Sequence, residues 1–177
     1  MYRLAFAAIL TIAIPVPAAT PDLGQLDASP TLFTVMAAIN AAGYDADLAS
    51  GNNHPLRNAI RAELAKREIP SLPAIKEFVA KHRKRTDTLE LSQYLSFGLT
   101  AGGPPDFAIK MRDVEIPPDV SSMTELSSLL AAFYKEANIE DLWKRSQRSI
   151  DRYIERYHGP VSRLRHPTRS TAWLANE

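Results

Sequence analysis

The chain has 177 residues, no cysteine, and a formal net charge of +1 from 21 basic and 20 acidic residues. Without cysteine there are no disulfides, no thiolate metal ligands and no thiol nucleophile, so stability must come from an apolar core. A charge this close to zero argues against a polyanion as the partner of the chain as a whole.

Met1 to Ala18 reads as a secretory signal peptide. Arg3 supplies a short positive start, Leu4 to Ile14 is the apolar run, and Pro15-Val16-Pro17-Ala18-Ala19 offers small residues at a cleavage site. Cleavage is expected after Ala18, which makes the protein periplasmic or secreted. The run is too short to span roughly 30 Å of hydrocarbon, so no membrane attachment is expected after cleavage. Removing Arg3 leaves 20 basic and 20 acidic residues. Residues 19–28 read as a linker, 29–160 as one helical domain and 161–177 as a flexible tail.

The first helix starts at Ser29 as N-cap with Pro30 at its first position, and Gly43 closes it. Leu32, Val35, Met36 and Ile39 form its apolar stripe. A polar loop follows, and a second helix is expected from about His54 to Arg67, capped by Asn53, with Leu56, Ile60 and Leu64 inward. The third starts at Ser71, turns Leu72, Ile75, Phe78 and Val79 inward, and ends in Lys81-His82-Arg83-Lys84-Arg85. The fourth starts at Asp87 and carries Leu91, Tyr94, Leu95 and Leu99, with Gly98 placed for close helix contact.

Ala101-Gly-Gly-Pro-Pro-Asp106 is a break, and Phe107 to Glu115 fits a short helix or an extended segment equally. Ser122-Met-Thr-Glu125 matches a capping box ahead of Leu126, Leu129, Leu130, Phe133 and Ala137. Asn138 then caps a long helix from Ile139 to about His158, stopped by Gly159-Pro160. The pattern predicts an all-α, irregular bundle of about six helices, after a signal peptide, with a loose C-terminal tail.

Chemistry-bearing motifs are few. There is no His-Glu-x-x-His, no Gly-x-Ser-x-Gly elbow and no phosphate-cradling loop. Glu155-x-x-His158 places a carboxylate and an imidazole on one helix face, the spacing used in di-iron bundles, but those need a second copy. His82 lies on the apolar face of the third helix, where a histidine is ordinarily a hydrogen-bonded core residue. His54 belongs to a loop before a proline. Lys81 to Arg85 matches a polyanion patch and also a solvated helix end; the absence of interleaved aromatics favours the latter, so no nucleic-acid partner is expected. Basic residues of the last helix alternate with Glu140, Asp141, Asp151 and Glu155, which reads as a face of i,i+4 pairs. Trp143, Tyr153 and Tyr157 form an aromatic stripe explained by packing.

Three stretches carry a resemblance: Gly103-Pro-Pro-Asp-Phe107, Ile116-Pro-Pro-Asp-Val120, and Leu130 to Trp143 with Tyr157-His-Gly-Pro-Val161 after it. Together they resemble the N-terminal region of exported uncharacterised bacterial proteins of acidobacterial type. In these a helical region precedes a half resembling zinc metallopeptidases. The resemblance covers about Leu26 to Val161. It implies that the metal-binding half is missing here and that the tail is a truncation or a shifted frame.

The expected function is accordingly a non-catalytic exported scaffold or interaction half of a truncated peptidase-like protein. It would use no metal or cofactor and meet a protein partner through an exposed apolar patch. The alternative is a small exported metal- or histidine-dependent hydrolase, for which His158, Glu155 and His82 are the candidate catalytic residues.

Overall fold

The structure, a computed structural model, describes residues 28–46, 48, 51, 53–110 and 115–165, with side chains described up to Arg156. The expected signal peptide, the linker up to 27 and the tail from 166 lie outside the described residues. Among the described residues there are seven helices and no strand. They are α1 (Pro30–Ala41), α2 (Pro55–Leu64), α3 (Leu72–Lys81), α4 (Asp87–Thr100), α5 (Pro118–Ser121), α6 (Leu126–Glu136) and α7 (Ile139–Arg165).

α1 is the axis of the bundle. It carries no charged residue and packs against α2, α3, α4, α6 and α7. Val35, Ala38 and Ile39 are fully buried, and Thr31, Thr34 and Asn40 are buried with them. A buried polar group costs free energy unless it is hydrogen-bonded. Thr34 Oγ1 donates to the Pro30 carbonyl at 2.8 Å and Asn40 Nδ2 to the Met36 carbonyl at 2.6 Å, both within α1, while Thr31 Oγ1 donates to the Gly102 carbonyl at 3.4 Å. Its start is as read from the sequence, with Ser29 Oγ accepting from the Leu32 amide. Gly43 follows the helix at φ 109°, a conformation that favours glycine.

α4 closes over α1 at Gly98, where a Cβ would lie 2.6 Å from Leu32 Cδ2. The buried face of α4 matches the stripe read from the sequence only in part: Tyr94 is fully buried and Leu91 packs against the core. Glu90, Gln93, Tyr94, Phe97 and Gly98 point inward, whereas Leu95 and Leu99 are exposed, Leu99 at 76 %. Close approach at Gly98 dictates this rotation, because the helix must turn its smallest residue toward α1.

Other sequence expectations need correction. α2 ends at Leu64 rather than Arg67, and its cap is His54, whose Nδ1 accepts from the Leu56 amide at 3.1 Å. Asn53 instead donates to the Leu48 carbonyl and to Asn58. The Ser122–Glu125 capping box does not form. The chain enters α6 from the unforeseen short α5 through turns in which the Met123, Leu126 and Ser127 amides already bond to the Val120, Met123 and Thr124 carbonyls. A box would need Ser122 as N-cap, but Ser122 closes α5 as its C-cap with its N–H on the Val120 carbonyl, and the N-cap of α6 is Glu125, which makes no side-chain cap bond. α7 runs on through Gly159-Pro160 to Arg165. The φ of proline suits a helix, so continuation forgoes one backbone bond and carries a steric cost.

Phe107 ends the Gly102-Gly103 loop at φ 51° with its side chain fully buried against Tyr134. The Gly102 amide donates to the Ala108 carbonyl at 2.9 Å, and a Cβ at Gly102 would meet that same oxygen. The two glycines therefore serve a tight chain reversal.

Across the surface, Glu63 of α2 accepts from Arg145 of α7 at 2.6 and 3.3 Å and from Arg67. Hydrogen bonding from Arg145, reinforced by Arg67, holds the Glu63 carboxyl below its ordinary value of 4.5. A carboxylate with a depressed folded-state value stabilises the fold above its unfolded value and loses that contribution as pH falls. Glu63→Gln should therefore destabilise at pH 7, and urea unfolding should show its gap to the parent narrowing as pH drops below 4.5. Tyr94 offers the opposite case. Burial, with the nearby Glu90 charge, pushes its hydroxyl well above the ordinary 10, and that oxygen has no hydrogen-bond partner among the described residues. Tyr94→Phe should keep stability or raise it by up to about 1 kcal/mol, read in the same unfolding assay.

Candidate functional site

The longest element leaves the bundle incompletely closed. α7 spans 27 residues, about 40 Å at 1.5 Å per residue. Its first two turns bury Ile139, Leu142 and Ser146. Further along, Trp143, Ile150 and Ile154 are half-buried and Tyr153 is 40 % exposed. These side chains face α1 and α2 across a cavity of about 410 Å³. Leu32, Phe33 and Met36 of α1 and Leu56 and Ile60 of α2 complete an apolar lining. The Phe33 and Trp143 rings meet edge-on at 5.1 Å and form one wall.

Arg57 holds the α1–α2 side of this groove. Its Nε donates to Asn40 Oδ1 at 2.7 Å and its Nη1 to the Ala46 carbonyl at 2.7 Å. Its Nη2 donates to the Tyr44 carbonyl at 3.2 Å, which Arg61 also reaches. One guanidinium thus ties the end of α1, the following loop and α2 together, using its fork of donors.

His54 stands where the groove opens. Because Nδ1 accepts the Leu56 amide, the neutral ring carries its proton on Nε2. The imidazole meets Tyr153 edge-on at 4.6 Å. His54, Leu56 and Tyr153 also line a second, polar cavity of about 740 Å³ with Asn53, Ser149, Arg152 and Arg156. The two cavities therefore adjoin along His54, Leu56 and Tyr153, one apolar and one with Arg152 and Arg156 in its lining.

The i,i+4 reading of α7 holds in its first turns, where Lys144 meets Glu140 at 2.6 Å and Arg145 meets Asp141 at 2.9 Å. It stops there. Arg148, Arg152 and Arg156 repeat every four residues, and no described carboxylate pairs with them. Arg152 Nε donates to the Arg148 carbonyl at 3.0 Å, which leaves its terminal nitrogens uncommitted.

The residues singled out for catalysis do not come together in what is described. His82 caps the C-terminus of α3 and stacks on Phe78 at 4.0 Å. Its Nδ1 lies 2.8 Å from the Phe78 carbonyl and its Nε2 3.1 Å from the Ser122 carbonyl. Nε2 thus joins α3 to the α5–α6 turn, while Nδ1 stays with the backbone of its own helix. Glu155 is exposed on α7, and the His158 side chain lies outside the described residues. Among the described residues no group of three or more His, Asp or Glu is placed to hold a metal ion. Lys81, Arg83, Lys84 and Arg85 are exposed at the end of α3. No described helix is long and apolar enough to cross a membrane.

Sequence reasoning named most of the groove's residues as core and missed that α7 stands off from α1 and α2. The available signal was the four-residue spacing of Arg148, Arg152 and Arg156 beside an apolar stripe continuing past Ser146. Arg57→Ala should cost about 2 kcal/mol in chemical denaturation, since it removes a hydrogen-bonded cation from three neutral acceptors.

No protein-family model matches this chain, and no curated protein or solved structure shows significant similarity to it.

Proposed function

We propose that this chain is a non-catalytic exported binding domain whose groove between α1, α2 and α7 holds an apolar ligand. The observation that carries the reading is the cavity of about 410 Å³ with an almost wholly apolar lining, open beside His54. Its volume lies in the range of small-molecule sites, and its lining has the usual composition: aromatic and aliphatic walls with a few polar groups at one end. The signal-peptide pattern of Met1 to Ala18 supports export. The resemblance to N-terminal regions of exported peptidase-like proteins supports a role as the binding or scaffold half of such a system.

A second reading draws on α4. Leu95 and Leu99 lie one helical turn apart and are both exposed. They support a docking patch for a protein partner, the apolar surface expected of an interaction half.

An apolar fluorescent dye such as 1,8-ANS separates the two. Saturable one-site binding that weakens about tenfold or more in Ile150→Glu is the expected result, because a carboxylate would be placed in the apolar lining. Binding unaffected by Ile150→Glu but abolished by Leu99→Glu would move the function to α4.

A further inference from the structure

Resting on the groove reading, we infer that the ligand is an amphipathic anion, a carboxylate on an aliphatic tail. The tail would lie in the apolar cavity and the head group at Arg152 and Arg156.

Charge complementarity carries this inference, because an apolar and a cationic cavity adjoin at shared side chains. The apolar cavity opens at Tyr153 and His54, and the same two side chains form the edge of the polar cavity. At that edge the chemistry changes within one residue of α7, from Ile154 and Ile150 on one side to Arg152, Arg156 and Ser149 on the other. Both arginines lack a described carboxylate partner, although Asp151 and Glu155 are their neighbours in sequence; neither acidic residue lines the cavity. The contrast with Lys144 and Arg145, each paired four residues back, is internal to the same helix.

The remaining donors agree in sign. His54 Nε2–H and the Ser149 hydroxyl lie in the cavity lining and both can donate to an oxyanion. The amides opening α2 do not contribute: residue 55 is proline, and the Leu56 and Arg57 amides are already taken by the His54 Nδ1 and carbonyl oxygen. The head group would therefore be held by side chains, with the two guanidinium groups supplying geometry suited to a carboxylate. A neutral ligand would leave this rim unused, and a cationic one would meet two like charges.

Calorimetric titration of the full-length protein with decanoate, decanol and decyltrimethylammonium tests this. Decanoate should bind about fivefold to tenfold tighter than decanol, a margin suited to exposed ion pairs and one that shrinks as salt is raised. Decyltrimethylammonium should bind more weakly than either. Arg152→Gln with Arg156→Gln should bring decanoate down to decanol and leave decanol unchanged; both positions are exposed, so the variant should fold, as circular dichroism would verify. Equal affinity for all three probes, or a preference for the ammonium, overturns the anionic head group and leaves the apolar groove standing. Saturable binding by none of them overturns both. A dimer in sedimentation that decanoate does not displace would assign the groove to a second copy and overturn the inference as well.

Discussion

The burial of an uncharged α1 is the constraint on which the rest depends. A helix that touches five others can have no face left for charge, and Pro30–Ala41 contains none. Thr34 and Asn40 return a hydrogen bond to their own helix backbone, Asn40 also accepts from Arg57, and Thr31 donates to the Gly102 carbonyl. That solution frees the outer helices to be amphipathic. It also sets their distances: α4 comes close at Gly98, while α2 and α7, bearing Ile60 and Ile150 toward α1, enclose a space between them.

Polar side chains lock this arrangement at its seams. Arg57 secures the α1–α2 turn, Glu63 bridges to Arg145 across α2 and α7, and His82 joins α3 to the α5–α6 turn. Gln93 adds a bond from Nε2 to the His82 carbonyl at 2.8 Å, beneath the α3–α4 loop. These contacts are distributed, and none converges on a shared reacting point. His82, one of the candidate catalytic residues, is thereby occupied as a fastener, whereas His54, read as loop chemistry, caps α2 and lines the groove.

Between Ile150 and Arg156, α7 has no fully buried side chain, and its two arginines there have no described carboxylate partner. An isolated helix draws little stability from propensity and depends on packing of its apolar face. Here that face is half-buried from Ile150 on, beside a cavity, with arginines repeating along the adjoining face. A ligand in the groove would supply contacts that this part of the helix lacks, so binding and local order are coupled by construction.

Helix identity was legible in the sequence because it follows from local rules. Ser29-Pro30, Gly43 and the apolar stripe of α6 each act through neighbouring residues, and each appears where the pattern placed it. The Ser122–Glu125 box failed because Ser122 is taken as the C-cap of α5, and the α4 stripe, right at Leu91 and Tyr94, was misplaced at Leu95 and Leu99 because rotation about a helix axis is chosen by what the helix touches. The groove belongs to the same class. Leu32, Ile60 and Ile150 are simply apolar in sequence; that they line a space rather than fill one depends on how far α7 stands from α1 and α2, a distance between elements remote along the chain. The sequence by itself thus determined an all-helical bundle and the caps and apolar stripes of several of its helices. The tertiary structure alone decided which apolar residues became core, which became a wall, and which charges were left to face it.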